Sequence, residues 1–381
     1  MGRTRSGLQR LMRIYMKKIP LLLALFVSQA MIAQKTRPPF FKAPEGLQLL
    51  STDLHIHTVF SDGSVWPDIR VQEALREGLD LIALTEHLEY QPHKKDLPHP
   101  NRNRSYEVAS AHLGSNDLLQ LINGSEITRN MAPGHINAVF VQDANKLLHK
   151  DSLTGIEEAN KQGAFVFWNH PHWPAQRADG IARLDPFHED LIAKKLLHGI
   201  EVVNELTYSE EAFKLALDNN LTILGTSDIH GLTDWLFEIP EGGHRPMTFV
   251  LSKDSSEAEL KKALFKGATV VWYKDMILGK PENINAVVRH NLSAATKGYM
   301  PNTSIAQVAL TNHSALPMQL EYLGPLSFQK QSRLITVPPY ETLTLEIRTK
   351  TQVEALTLHF KIQNAWLGPK QNLILPIKVF L

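Results

Sequence analysis

The sequence of 381 residues contains no cysteine. This absence excludes disulfides, zinc sites built from thiolates, a cysteine nucleophile and an anchor attached to a lipid-modified cysteine. Any transition metal would therefore have to be held by histidine and carboxylate side chains. The patterns G-x-G-x-x-G, G-x-x-x-x-G-K and G-x-S-x-G are also missing, so the sequence does not indicate a dinucleotide fold, a P-loop or a serine-hydrolase elbow.

An extreme composition is absent as well. Hydrophobic residues make up 43% and charged residues 21% of the chain, which is typical of globular proteins. Disordered and fibrous classes are therefore excluded. A chain of this length can form one large domain with a smaller one, or two domains of medium size.

Acidic residues are lacking in residues 1–33, which carry six lysines and arginines. The apolar run Ile19–Val27 and small residues follow, with Ala30 and Ala33 as alternative cleavage points. This order predicts a secretory signal peptide over residues 1–33, and the run is too short for a comfortable membrane span. We expect a secreted, periplasmic protein with no membrane span after cleavage, and a retained N-terminal anchor is the alternative.

The formal net charge of +1 includes the six cations of the signal segment. Without them, 34 lysines and arginines face 39 acidic residues, which gives a net charge of −5. A mildly acidic protein has no general attraction to nucleic acid or to anionic lipid. The charge therefore argues against a long nucleic acid as partner.

What the sequence does have is a concentration of histidine, since 14 of its 17 histidines lie between His55 and His244. His55 and His57 fall in the predicted strand Asp53–His57, where residues two apart share a face, so both imidazoles can reach one point. Asp62 adds a carboxylate in the Ser-Asp-Gly turn that follows. These groups are transition-metal ligands, although an isolated H-x-H can equally be a solvated pair on an edge strand.

After this stretch, short apolar runs alternate with helical patterns for about 200 residues, which is typical of α/β folds. Residues 34–51 before it read as an extended lead-in. We predict a distorted (β/α)7 barrel over residues 52–280, with an open doubly wound sheet as the rival. The predicted strands are Asp53–His57, Leu79–Thr85, Leu118–Asn123, Ile136–Val141, Ala164–Trp168, Gly199–Val203 and Thr222–Thr226.

Residues 281–381 differ in character, because their segments are short, β-prone and separated by Pro, Gly, Asn or Ser. We predict a C-terminal antiparallel β-sandwich domain there. Its predicted strands are Val287–His290, Ile305–Thr311, Gln319–Tyr322, Arg333–Val337, Thr342–Arg348, Ala355–Ile362 and Leu373–Phe380. A packing module is the preferred interpretation, and a carbohydrate-binding module is the alternative.

Further side chains of the ligand type recur where the predicted barrel strands end. They are Glu86 and His87, Glu126, His170 and His172, and Asp228 and His230, with His135 at the start of the fourth strand. In a βα barrel the carboxyl ends of the strands face one opening, so these residues are expected to converge. Each one alone could cap a helix or serve as a hydrogen-bonded structural histidine.

The order of these motifs resembles that of the PHP (polymerase and histidinol phosphatase) superfamily of metal-dependent phosphoesterases. The first motif, H-x-H-T-x-x-S-D-G, spans His55 to Gly63, and the resemblance covers roughly residues 52–275. It implies a site for three divalent metal ions. The implied ligands are His55, His57, Glu126 and Asp228 for the first ion; Glu126, His135 and His170 for the second; and Asp62, His87 and His230 for the third.

The resemblance also implies a reaction, namely hydrolysis of a small phosphomonoester or phosphodiester. Two ions that share Glu126 would hold a hydroxide as the nucleophile, and the third would hold a phosphoryl oxygen. Imidazole and carboxylate suit zinc, manganese or iron, and the sequence does not choose between them. Glu86 is expected to orient a ligand histidine, and His172 is the candidate for protonating the leaving group.

Substrate contacts are predicted from residues in loops near these motifs. Arg129, Trp173 and Arg177 are candidates for binding an anionic or planar group, and His244 with Arg245 follow in a later loop. Two alternatives stay open at this point. The protein could be a non-catalytic metal-binding or carbohydrate-surface protein, or an amidohydrolase-type enzyme that uses the same metal ligands on a C–N or C–O bond.

Overall fold

The computed structural model describes residues 39–381, so the predicted signal segment lies outside the described residues. Its strands are β1 Gln48–Asp53, β2 Leu81–Leu84, β3 Gln120–Ile127, β4 Ile136–Val139, β5 Phe165–Trp168, β6 Gly199–Asn204, β7 Thr207–Tyr208, β8 Thr222–Thr226, β9 Met247–Ser252, β10 Thr269–Tyr273, β11 Met276–Gly279, β12 Leu292–Tyr299, β13 Ile305–Asn312, β14 Met318–Tyr322, β15 Ser327–Phe328, β16 Leu334–Val337, β17 Thr342–Arg348, β18 Ala355–Gly368 and β19 Gln371–Phe380. Its helices are α1 Pro67–Glu77, α2 Arg104–Leu113, α3 Ser152–Lys161, α4 Pro186–Ala193, α5 Glu210–Asp218, α6 Thr233–Leu236, α7 Glu257–Phe265 and α8 Pro281–Asn291. Residues 40–381 form one compact unit.

An α/β region is joined to a C-terminal β region by one mixed sheet of 15 strands. The order of the path is β16-β14-β18-β11-β10-β9-β1-β2-β3-β4-β5-β6-β7, with β19 on β18 and β8 on β6. Strands β12, β13, β17 and β15 form a second sheet, and apolar residues of both sheets share one core cluster. The link between the two regions is the parallel pairing of β11 with β18.

A regular (β/α)7 barrel is not confirmed, because the sheet is mixed. Strand β4 runs antiparallel to β3 and β5, and β9 pairs antiparallel with β1. Beyond the ends of β1 and β8, the two chain segments do meet. A parallel bridge links Ile56 with Ile229, and Asp228 N donates to His55 O at 2.9 Å.

This topology places the ligand-type residues at one edge of the sheet. The pairs β1–β2, β2–β3, β5–β6 and β6–β8 are parallel, so the carboxyl ends of these strands lie at that edge. Because β4 is antiparallel to its neighbours, its amino end lies there instead. His135, which directly precedes β4, therefore reaches the same edge.

Two predicted elements need correction. The first barrel strand ends at Asp53 rather than continuing to His57, and part of the expected lead-in belongs to it. Residues 287–290 are helical rather than extended, within α8, which begins at Pro281. Ile284, Val287 and Val288 are buried along one face, so their spacing of three to four residues is that of an amphipathic helix. Strands β7, β9, β11, β12 and β15 were not predicted.

None of the helices within 39–381 is long and apolar enough to cross a membrane.

Candidate metal centre

A cavity of about 220 Å³ opens at the edge where the strand ends converge. We call it the site cavity. Its lining residues are Asp62, His87, Glu126, His135, His170, Trp173, Asn204, Glu205, Asp228 and His230. Seven of these ten are predicted metal ligands, and the remaining two predicted ligands, His55 and His57, lie fully buried beneath it.

Four of the histidines have a hydrogen-bond partner at Nδ1, which leaves Nε2 for another partner. His55 Nδ1 faces Glu201 Oε1 at 2.7 Å, His57 Nδ1 faces Ser61 Oγ at 3.2 Å, His87 Nδ1 faces Thr128 Oγ1 at 2.6 Å, and His230 Nδ1 faces the carbonyl of Asp228 at 2.7 Å. Such partners fix the tautomer and the orientation of a metal-binding imidazole. The arrangement therefore presents nitrogen lone pairs to a common region.

The spacing of these atoms fits a metal ion. His55 Nε2 and His57 Nε2 lie 2.9 Å apart, and Asp228 Oδ1 lies 3.2 Å from each. Oxygens of Glu126 lie 3.6 Å from each nitrogen. Ligands about 2.1 Å from a tetrahedral zinc ion would be about 3.4 Å from one another, so the four residues suit one bound cation.

Glu126 also faces a second set of histidines. Its Oε1 lies 3.0 Å from His135 Nδ1 and 3.6 Å from His170 Nε2, and it accepts a hydrogen bond of 2.7 Å from Asn169 Nδ2. The carboxylate is buried between these rings and the His55–His57 pair. Glu126 oxygens therefore lie within 3.6 Å of nitrogens in both sets of histidines.

A third set lies nearer to solvent. Asp62 Oδ2 is 3.4 Å from His87 Nε2, and Asp62 Oδ1 is 3.1 Å from His230 Nε2. Three groups in residues 39–381 have donor atoms within 4.8 Å of one another: His57, Asp62, His87 and His230; His55, His57 and Glu126; and His87, Glu126 and His135. These groups overlap with the donor sets implied by the sequence but are not identical to them. His87, whose Nδ1 is 2.5 Å from Glu126 Oε2, joins Glu126 and His135 in place of His170, and neither His170 nor Asp228 is in any of the three groups.

Burial and neighbouring charges together set the titration of the buried pair. Burial disfavours protonation of His55, but the nearby carboxylates, led by Asp228 and Glu201, raise its pKa to about 10. His57 behaves in the opposite way, because burial and the positive charges of neighbouring histidines lower its pKa to about 3. Without cations, His55 is therefore a positively charged imidazolium and His57 a neutral imidazole at neutral pH.

The outer histidines hold protons as well. Burial opposes protonation of His87 and His230, yet Glu126 and Asp62 raise the pKa of His87 to about 11, while Asp62 and Asp228 raise the pKa of His230 to about 9. The pKa of Asp62 is lowered, since hydrogen bonds and charges from these two rings outweigh burial. Cations can replace these protons in neutralising the carboxylates.

Glu86 and Trp173 both lie close to predicted ligand histidines. Glu86 Oε2 accepts a 2.5 Å hydrogen bond from Ser61 Oγ, which in turn contacts His57. Glu86 thus holds a ligand histidine through Ser61. Trp173 lines the site cavity, with its ring centroid 5.6 Å from that of His135 and 5.2 Å from that of His170.

The predicted arginine contacts lie elsewhere. Arg129 forms an ion pair with Glu89 and donates to the carbonyl of His149 at 2.6 Å. Arg177 is buried and forms an ion pair with Asp185. Neither arginine lines the site cavity, so both are committed to fixing their own loops.

His172 and Arg245 are likewise held outside the lining of the site cavity. His172 Nε2 donates to Thr207 Oγ1 at 2.9 Å. Arg245 is fully buried, 3.0 Å from Asp53 Oδ2 and 2.8 Å from Glu77 Oε2. His244 stacks on Trp272 with ring centroids 3.8 Å apart. Neither His244 nor Arg245 is therefore among the residues that line the site cavity.

Sequence reasoning missed Glu201, Asn204 and Glu205, which all come from the end of β6. Glu201 is fully buried; besides holding His55 it accepts from the backbone N–H of His170 at 2.7 Å. Asn204 donates to Glu201 at 2.9 Å and to Asp228 at 3.2 Å. A signal was present, since Glu201 is the one charged residue in an otherwise apolar predicted strand.

Comparison with known proteins adds two findings. Residues 292–378 match the model of an Ig-like domain, which agrees with the β-rich C-terminal region. Among curated proteins, none matches this chain.

Solved structures provide relatives. A two-domain protein from Bacteroides vulgatus, described as containing a predicted PHP-like metal-dependent phosphoesterase, is 36% identical, with 90% of this chain and 99% of that chain covered and a TM-score of 0.83. A candidate metal-dependent phosphoesterase from Bifidobacterium adolescentis (18% identity, TM-score 0.36) and an amidohydrolase from Chromobacterium violaceum with bound sulfate and no metal (15%, 0.34) each cover 47% of this chain and 87% of their own. These last two likenesses are too weak to bear on function.

The similarity to the Bacteroides protein extends over both regions of the chain, and the ligand-type residues cluster as the motifs require. Together with the Ig-like match, this makes the chain an α/β domain followed by an Ig-like β domain. The chain belongs to the PHP superfamily of metal-dependent phosphoesterases.

Proposed function

We propose that the protein hydrolyses a small phosphomonoester or phosphodiester at the site cavity, with three divalent ions of zinc, manganese or iron. The observation that carries this proposal is the spacing of the donor atoms of His55, His57, Glu126 and Asp228, which fits a cation at their centre. Bound cations would activate water as the nucleophile and offset charge on the phosphoryl group.

The protein's own residues keep the donors in place. Glu201 orients His55 and fixes the backbone of His170, while Ser61 and Glu86 orient His57. Such support pre-organises a site, so that little rearrangement is needed during the reaction. The bridge between Ile56 and Ile229 favours treating β1–β6 and β8 as a distorted barrel that holds the whole set.

The lining of the site cavity bears on the substrate. Neither lysine nor arginine is among the lining residues in the described part of the chain, so the charge of the phosphoryl group would be met by the cations. Trp173 offers a flat apolar surface to the organic half of the substrate. The calculated charge of −5 after loss of residues 1–33 favours a small substrate over a long nucleic acid.

The proposed location follows from the sequence of residues 1–33. Its basic start, apolar run and small residues support export, and we propose a periplasmic protein that releases phosphate from external esters. Fractionation of cells that express the full chain, with an N-terminal sequence of the mature product, tests this part. Retention of residues 1–33 in the mature product would contradict it.

The activity is tested with a panel of p-nitrophenyl phosphate, bis-p-nitrophenyl phosphate and a p-nitrophenyl carboxylic ester. Chelated protein is assayed with zinc, manganese or iron added back, and metal content is measured on the same samples. We expect turnover of one phosphate substrate and a metal content approaching three ions per chain. Turnover of the carboxylic ester alone would favour the amidohydrolase-type alternative, and no turnover with any metal would contradict both.

A further inference from the structure

Glu205 occupies the tip of a hairpin at the opening of the site cavity. Strands β6 and β7 pair antiparallel through Asn204 and Thr207, so Glu205 and Leu206 form the turn between them. Glu205 has a φ of 52°, a left-handed conformation that is uncommon for a residue with a side chain. Non-glycine residues in this region cluster at functional sites, where the surrounding structure maintains them.

The carboxylate of Glu205 differs from every other acid or base that lines the site cavity. Asp62, Glu126, Asp228 and the four lining histidines are all assigned as metal ligands. The Glu205 side chain has no hydrogen bond or ion pair to any of residues 39–381 and is exposed at the opening. It is therefore available to a bound substrate rather than to a cation in the predicted set.

The hairpin is fixed from three sides. Thr207 Oγ1 donates to the carbonyl of Asn204 at 2.8 Å and accepts from His172 at 2.9 Å. The hydroxyl of Tyr273 donates to the carbonyl of Leu206. The side chain of Asn204 donates to Glu201 at 2.9 Å and to Asp228 at 3.2 Å. A carboxylate on this hairpin is held over the cavity by packing that a flexible loop would lack.

A glutamic acid can serve as a general acid when it lies beside the bond that breaks. Glu205 meets this geometric requirement, because it lines the site cavity and its side chain has no partner among residues 39–381.

We propose that Glu205 is the residue that protonates the leaving group, and that His172 positions the hairpin instead of donating the proton itself. This inference rests on the proposed phosphoesterase activity. Water-derived hydroxide forms a bond to phosphorus, the bond from phosphorus to the ester oxygen breaks, and the electron pair left on that oxygen takes the proton of Glu205. The resulting carboxylate recovers a proton from the next water that the site ionises.

The test compares two phosphate monoesters whose leaving groups differ in basicity. An alkoxide, as from glycerol 2-phosphate, needs a proton to leave, whereas p-nitrophenolate is a weak base and leaves without one. We expect Glu205→Gln to lower kcat for glycerol 2-phosphate about 100-fold or more, within the range for loss of a general acid. For p-nitrophenyl phosphate we expect a change below about threefold, since the general acid contributes little there.

Controls separate this role from structural effects. Glu241→Gln changes an exposed carboxylate outside the lining and should leave both rates unchanged. Metal content and Tm of Glu205→Gln should match the unmodified protein, because Glu205 is neither a predicted ligand nor buried. His172→Asn should give the same selective loss with glycerol 2-phosphate, but a smaller one.

Three results would overturn the inference. Equal losses with both substrates would mean that Glu205 acts on phosphate binding or on the metals. A full effect in His172→Asn with none in Glu205→Gln would make His172 the acid. Unchanged rates in both variants would leave protonation to another group. Failure of the unmodified protein on both phosphates would instead refute the proposed function.

Discussion

The candidate metal centre has a deep half and a shallow half that differ in how the protein holds them. The deep half comprises the ligands implied for the first and second ions, and three of its side chains are at most 1% exposed. Its residues are His55, His57, Glu126, His135, His170 and Asp228. The shallow half, Asp62, His87 and His230, includes side chains that are 23% and 38% exposed, for Asp62 and His230 respectively.

The two halves also differ in the residues that hold their ligands in place. Buried carboxylates and amides of neighbouring strands, such as Glu201 and Asn169, hold the deep half. A loop residue, Asp62, forms the centre of the shallow half. We expect the deep half to bind its cations more tightly, because its ligands are pre-organised, and the shallow half to exchange its cation with solvent.

The largest effect on the deep half is expected from Glu126→Gln. This substitution keeps the shape of the side chain but removes the negative charge shared by the deep cations. Loss of partners that merely orient ligands costs about 10- to 100-fold, so loss of this ligand should cost more than about 100-fold in kcat. Metal content should fall in parallel. Metal analysis combined with phosphatase assays measures both effects. A variant that is fully loaded with metal and active would show that Glu126 does not bridge two cations.

A smaller effect is expected from Glu201→Gln, which touches the deep half alone. The variant weakens the contact to His55 Nδ1 and places an amide against the backbone N–H of His170. We expect metal affinity in the deep half to fall about 10- to 100-fold. Competition with a chromophoric chelator measures it. A matching loss at the shallow half would mean that the two halves are not independent.

Asp62→Asn tests the shallow half in the same way. The amide cannot supply the negative charge on which His87 and His230 converge. We expect one fewer bound cation per chain and a loss in kcat of about tenfold, at the low end of the range for a weakened metal site. The deep cations should stay bound through dialysis. Loss of all metal in this variant would contradict the division.

The smallest expected signal is the release of protons when metal binds. The number of protons released differs between the deep half and the shallow half. In the metal-free protein, His55, His87 and His230 have pKa values of about 10, 11 and 9, so at pH 7 each is protonated and must lose a proton to bind a cation. Metal affinity should therefore rise as the pH rises from 7 toward 9. His57, with a pKa of about 3, releases none.

The measurement is a zinc titration of chelated protein in weak buffer with a pH indicator. We expect at least three protons per chain, two of them from the shallow half, and a smaller release in Asp62→Asn. His170 adds to the release from the deep half, because Glu126 and Asp228 outweigh burial and raise its pKa as well. Release of less than one proton would contradict the assignment of these histidines as ligands.

The order of the motifs along the sequence indicated many residues of the candidate metal centre. Residues of the first motif and of the later strand ends do cluster in space. Strands β8 and β17 were predicted with the observed bounds, because short β-prone runs bounded by turn residues are local signals. Residues 287–290 were misassigned, because a short apolar run does not distinguish helix from strand.

Other features depend on neighbours that are distant in sequence. His135 reaches the site because β4 runs antiparallel to β3 and β5, which no local pattern encodes. Arg129 and Arg177 were predicted to contact substrate, but each forms an ion pair within its own surroundings. The availability of an arginine depends on which carboxylates the fold brings to it, and spacing along the chain does not reveal this.

The sequence by itself determined the chemistry of this protein: the absence of cysteine and the recurrence of histidine and carboxylate left an imidazole–carboxylate metal site as the consistent interpretation. The tertiary structure decided how those ligands are divided between buried and exposed halves, which residues orient them, and that Glu205 stands free at the opening. The physical reason is that ligand type is a property of one side chain. Burial, pKa and hydrogen-bond partners arise from residues that meet only when the sheet has formed.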